Sequence, residues 1–201
     1  YSSLDLEKFN NIVIIGPSPV ETGPELGFVD ENFMTPLGEV DVDTAMLSEL
    51  KMSDIFEKRE DLMHLSFVEM QLIFLQTLKE DFRIVPITVS EDILKEGIER
   101  GLKFLREFLN PQDLVIACSN LAKGSDTSEK TIQKKDSELI DLLREKDFDS
   151  FAEVSKEYGV DGSRAILYAI GLIGKYSNVQ VVGHRARTPD EVLKSSTTGY
   201  A

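Results

Sequence analysis

One cysteine, Cys118, and two histidines, His64 and His184, are the only thiol and imidazole groups in this 201-residue chain. A single cysteine permits no internal disulfide, which fits a reducing compartment, and a cytoplasmic location is expected. Basic charge is also scarce. Against 36 Asp and Glu stand 22 Lys and Arg, giving a formal net charge of -14. General binding to nucleic acid or to an anionic membrane surface needs local positive potential, so neither is expected as a partner. A small basic pocket stays compatible with that charge. No apolar run approaches the length of a membrane span, and no signal peptide is visible. The chain opens on Tyr1 rather than Met, so residues upstream of it are expected.

What is present describes an ordinary globular protein. Hydrophobic residues make up 41% and charged residues 29%. A chain of this length is most simply one domain, able to bury roughly 70% of the surface that its unfolded form exposes. Strands and helices alternate along it. Residues 11–15 are a β-branched run ending at Gly16-Pro17, which suits a strand buried on both faces. Residues 22–39, rich in Gly, Pro and acids, read as a loop. Asp43 can cap a short helix over 44–50. Residues 60–78 predict a long helix, with Leu62, Leu65, Val68, Leu72 and Leu75 on one face.

Residues 83–89 predict a strand in which Pro86 argues for an edge or a bulge. Ser90, followed by Glu91 and Asp92, predicts a helix start, with that helix running to about Leu109. Residues 113–118 predict a buried strand leading into a polar turn. Helices are expected near 130–145, 148–158 and 163–176, and strands at 179–182 and 197–201. Helical crossovers of this kind point to a single α/β domain with a mostly parallel or mixed sheet, flanked by helices on both faces.

Ligands of open α/β sheets bind outside the carboxyl ends of the strands. Three such ends carry polar chemistry: Gly16-Pro17-Ser18-Pro19, then Cys118-Ser119-Asn120-Leu121-Ala122-Lys123, and Gly183-His184-Arg185. The segment Val160-Asp161-Gly162-Ser163-Arg164 joins them as a helix start whose free N–H groups attract anions.

Two stretches carry a family likeness. They are Met34-Thr35-Pro36-Leu37-Gly38-Glu39-Val40-Asp41-Val42-Asp43 and Val68-Glu69-Met70-Gln71-Leu72-Ile73-Phe74-Leu75-Gln76. Together they closely resemble the MEMO-like family, which looks like the class III (LigB-type) extradiol dioxygenases. The likeness covers nearly the whole chain and reaches the final Gly199-Tyr200-Ala201. Members of the family place His or Cys where a metal is held, and this chain departs from that pattern. The family's Gly-Pro-Ser-His is Gly16-Pro17-Ser18-Pro19 here. Its Glu-His-Ser-Leu-Glu is Leu65-Ser66-Phe67-Val68-Glu69. Its Ser-Ser-Asp run ending in His is Cys118-Ser119-Asn120 ending in Lys123, and its Cys-Gly is Asp161-Gly162. Tyr1-Ser2-Ser3 resembles a family stretch that follows another His, which would lie upstream.

The resemblance therefore implies the fold and the pocket without the metal. An iron, copper or zinc site needs several convergent imidazole, thiolate or carboxylate donors. Pro19 has none, Ser66 and Asn120 are weak neutral ligands, and Lys123 brings positive charge. Asp161 alone can coordinate, so no metal and no other cofactor is expected. His64 lies two residues from the family's His, which on a helix turns it by about 200°; packing is its simpler role. His184 reads as a loop residue, Cys118 as a small buried hydrophobe and Glu69 as either a pocket or a helix residue.

Lys123, Arg164 and Arg185 suggest a small anionic ligand. They read equally as solvated groups or partners of Asp161 and Asp126. The expected pocket is thus Ser18, Pro19, Ser66, Glu69, Ser119, Asn120, Lys123, Asp161 and Arg164. The leading expectation is a non-catalytic binding or partner protein. The alternatives are a metal-independent enzyme using Lys123, Asn120, Ser119 or Asp161, and a metalloenzyme with ligands from outside this segment. The resemblance also implies partners, either an intact paralogue or a radical SAM-associated system, and an oligomer is compatible with it.

Overall fold

Ile12, Val13, Ile14 and Ile15 are completely buried, so the strand that they form is covered on both faces. β-branched side chains favour extended backbone, and such a continuous apolar run belongs inside a sheet. In the computed structural model, residues 5–20, 24–60, 65–121 and 129–173 are described. The strand is β1 (Asn11–Pro17). It pairs in parallel with β6 (Arg83–Val89) on one side and β7 (Asp113–Ala117) on the other. β2 (Leu26–Phe28) runs antiparallel to β6, and β5 (Glu57–Lys58) runs parallel to β2. The result is a mixed five-stranded sheet, ordered β5-β2-β6-β1-β7. A separate hairpin joins β3 (Phe33–Thr35) and β4 (Gly38–Val40).

Six helices accompany the sheet among the described residues: α1 (Thr44–Met52), α2 (Ser66–Gln76), α3 (Lys95–Phe108), α4 (Glu129–Glu145), α5 (Phe148–Glu157) and α6 (Ser163–Ile173). α2 packs on β1, and α6 packs on β1, β6 and β7 as well as on α3. Gly16 explains how closely α2 sits. A side chain at Gly16 would lie 2.5 Å from the Phe67 ring. A second, smaller core of Leu139, Phe151 and Val160 ties α4 and α5 to the start of α6. This is the α/β domain expected from the alternation of strands and helices. No helix among the described residues is long and apolar enough to cross a membrane.

Several local expectations are corrected. The 22–39 loop holds β2, β3 and the start of β4. The helix expected over 60–78 begins only at Ser66, because Leu65 is extended (φ -107°, ψ 91°). Of its apolar face, Leu65, Val68, Leu72 and Leu75 are buried, while Leu62 lies outside the described residues. Pro86 sits in an interior strand rather than at an edge. Its carbonyl accepts from Val29 N at 3.4 Å, just past the end of β2. Its missing N–H therefore faces a gap between β2 and the Val42–Ile84 bridge, where no ladder partner is lost. Ser90 makes a turn, accepting from Asp92 N at 3.2 Å, and α3 starts five residues later. β7 is half-buried instead of buried. The strands expected at 179–182 and 197–201 fall outside the described residues.

Asp43 does cap α1. Its Oδ1 accepts from Ala45 N (3.0 Å) and Met46 N (3.1 Å), while its own N–H donates to Ile84 O (2.8 Å). The residue is buried, so water cannot replace the cap. Asp43→Ala should therefore lower the unfolding free energy by about 1–2 kcal/mol in a urea titration, with little change in slope.

Candidate functional site

β1 and β7 part company at their carboxyl ends. The last tie is Cys118 N donating to Ile15 O at 2.7 Å. Beyond it a cavity of about 490 Å³ opens. One wall is Pro17, Ser18 and Pro19 after β1. Another is Ala117 to Asn120 after β7. The first turns of α2 supply Ser66, Phe67, Met70 and Gln71, and Asp161 closes the rim. Six of the residues expected from sequence border it: Ser18, Pro19, Ser66, Ser119, Asn120 and Asp161.

Each wall is fixed by backbone bonds. Ser18 N donates to Val89 O (2.9 Å), and its Oγ donates to Val20 O (3.1 Å). Asn120 forms an antiparallel bridge with Asp161, its N–H donating to Asp161 O at 2.8 Å. Ser119 Oγ donates to the same carbonyl, also at 2.8 Å. Asn120 Nδ2 reaches Asp161 Oδ2 at 3.4 Å. Gly162 is required directly behind this bridge. Its φ is +92°, and a Cβ there would lie 2.6 Å from Cys118 O.

Two other expected site residues lie elsewhere. Glu69 is half-buried on α2 and does not border the cavity. Arg164 does not border it either; its Nε donates to Glu91 O at 3.3 Å. Lys123, His64, His184 and Arg185 are outside the described residues.

The residue that sequence reasoning missed is Glu91. Its Oε1 accepts from Gly162 N (2.6 Å) and its Oε2 from Ser163 Oγ (2.8 Å). The free N–H groups at the start of α6, read from sequence as an anion site, thus already hold a carboxylate of the chain itself. The signal was its place, two residues past the carboxyl end of β6 and so at the same end of the sheet. Met70 and Gln71 were missed as cavity residues because the helix was expected to begin earlier. Met70 lies one turn on from Ser66 and shares its side of the helix.

The donor set does not fit a transition metal. Asp161 is the one carboxylate bordering the cavity among the described residues, and Cys118 the one thiol. No group of three His, Cys, Asp or Glu suited to a metal occurs among the described residues. Burial pushes the Cys118 thiol from its ordinary 9.0 up to about 11, against a smaller opposing effect of a hydrogen bond with Gln71. With no cation beside it, this sulfur keeps its proton at neutral pH.

Two outcomes are expected. Alkylation of Cys118 by iodoacetamide should be far slower in the folded chain than in urea at pH 8, and should accelerate only as pH approaches 11. Because the folded value is raised, the stabilisation from this thiol is complete below about pH 9 and is lost as pH rises through about 11. Glu91→Ala should lower stability by about 2 kcal/mol, since Gly162 and Ser163 are buried and lose a charged acceptor. Glu91→Gln, which keeps one oxygen acceptor, should lose less; chemical denaturation reads both.

Comparison with known proteins identifies the family. The family model described as "Memo-like protein" matches residues 1–201. A MEMO1 family protein of Archaeoglobus fulgidus is 32% identical over 98% of this chain and 75% of its own length. One of Thermotoga neapolitana is 30% identical over 86% of the chain and 63% of its own length. One of Saccharolobus solfataricus is 28% identical over 94% of the chain and 69% of its own. The chain thus spans less than two thirds of the Thermotoga relative. The likeness seen in the segments around Met34 and Gln71 extends over every residue given, and the chain belongs to the Memo-like family.

Proposed function

We propose that this Memo-family chain acts by binding a small polar ligand in the cavity beyond β1 and β7, and not by metal-dependent oxidation. The observation that supports this most is the lining itself. Among the described residues it carries three hydroxyls, two amides and one carboxylate, and no imidazole or thiolate donor of the kind a redox metal needs. Ser18 and Ser119 already donate their hydroxyl protons to backbone carbonyls, so each offers lone pairs to a guest. Ser66 and the exposed Asn120 amide add groups that both donate and accept. A ligand with hydroxyl or amino groups fits the acceptors. An anionic ligand would take its cation from Lys123, because Arg164 faces Glu91 and the start of α6 holds the Glu91 carboxylate.

The test has two arms. Purified chain, dialysed without chelator, should hold iron, copper and zinc well below one per chain by mass spectrometry of the elements; a stoichiometric metal would sink the proposal. Thermal unfolding should then be followed against polyols, amines, phosphate and small carboxylates. A true ligand at a hundred times its dissociation constant adds about 2.7 kcal/mol. For a domain of this size that is a rise of roughly 5–10 °C in Tm. Asn120→Ala should abolish the rise while leaving the ligand-free Tm close to that of the parent. Loss of the phosphate or carboxylate response in Lys123→Ala alone would identify the anionic case.

A further inference from the structure

α2 turns an uncharged stripe outward. Met70, Ile73 and Phe74 are 60%, 41% and 56% exposed, and Leu78, one turn past Phe74, is 46% exposed. Steps of three and four residues put them on one side. From Ser66 to Leu78 the single charged residue is Glu69, which is half-buried and engaged. The stripe is held rigidly, because the opposite side of α2 sends Val68, Leu72 and Leu75 completely into the core. The β3–β4 hairpin is pinned to the last turn of the helix. Thr35 Oγ1 donates to Gln76 Oε1 (2.6 Å), and Gln76 Nε2 donates to Gly38 O (3.3 Å). Its turn adds Leu37, 55% exposed. A rigid cluster of large apolar side chains marks an interaction surface.

Charge decides the occupant. The chain carries -14 overall, so a basic partner would be drawn to its acidic faces and would gain nothing from an uncharged stripe. A second copy of the chain meets the opposite situation. Two acidic molecules repel wherever acid faces acid, and approach most easily where both are uncharged. A two-fold contact also needs a patch complementary to itself, and an apolar stripe without charge meets that condition unaltered. We infer that this stripe is a homodimer contact, with α2 packed against α2 of a second copy about a two-fold axis. Met70 also borders the cavity, so the second copy stands at the cavity mouth. Three helical turns, about 16 Å long, fall short of the roughly 800 Å² per partner of a standard interface. The dimer is accordingly weak, with a dissociation constant on the order of micromolar. None of this depends on what the cavity binds.

Sedimentation velocity of the 201-residue chain across roughly 1–100 μM tests the inference. The mass should move from one chain toward two, and added salt should favour the dimer by screening the acidic repulsion. Phe74→Glu places like charges across the two-fold axis and should weaken association at least tenfold without changing Tm. Met52→Glu, also at an exposed apolar position but on α1 beside β5, should change neither. A chain that stays monomeric throughout, a dimer that salt loosens, or one that Phe74→Glu leaves as tight as before would overturn it.

Discussion

The burial of β1 between two parallel neighbours is the constraint on which the molecule is arranged. Its side chains can stay dry on both faces only if helices cover both. Its backbone is satisfied only if β6 and β7 lie in register beside it. That register is unequal at the carboxyl end. β6 follows β1 as far as Pro17, opposite Val89, whereas β7 leaves it at Ile15, opposite Ala117. The two residues by which β7 falls short open the cavity. Its place is thus a consequence of strand length at the centre of the sheet, and the loops supply only its chemistry.

Those loops are held by a second device, the start of α6. A helix N-terminus leaves N–H groups without partners, and an anion nearby is favoured. Here the anion is Glu91, carried from the end of β6. One carboxylate thereby joins two strand ends to a helix start: it follows β6, it holds Gly162 and Ser163, and Gly162 lies against the Cys118 carbonyl beyond β7. The helix start is a joint of the fold.

Local signals were the legible ones. The β-branched run of β1 and the cap at Asp43 each act within a few residues, so the sequence displays them directly. β2 to β5 have two or three residues each, too few to show an alternating pattern; β2 and β5 depend on β6 and α1 beside them, and β3 and β4 on each other and on α2. Pro86 misled because its effect depends on a gap in the neighbouring strand. Glu91 was hidden for the same reason: its partners are 71 and 72 residues away. The start of α2 was also set from outside. Leu65 is drawn into the core in extended form, and this moves the first helical turn onto the cavity. Motif likeness worked where periodicity failed, because it found Ser18, Ser66, Asn120 and Asp161 as one set without needing to know how they meet.

The same burial that steadies the end of β7 limits what the cavity can do. Cys118 packs as a small apolar group, with its Sγ 3.8 Å from the Phe67 carbonyl and Gln71 hydrogen-bonded beside it. Neither neighbour carries positive charge, so ionising the sulfur would leave an uncompensated charge out of water. Packing closes the strand here and disfavours the thiolate in the metal-free chain. The hydroxyls and the amides around it face no such conflict, since neutral donors and acceptors lose little on partial burial when a guest completes their bonds. On the proposed reading, such a cavity would recognise its guest by hydrogen bonding, and that reading rests on the closure of the sheet as much as on the residues that border it.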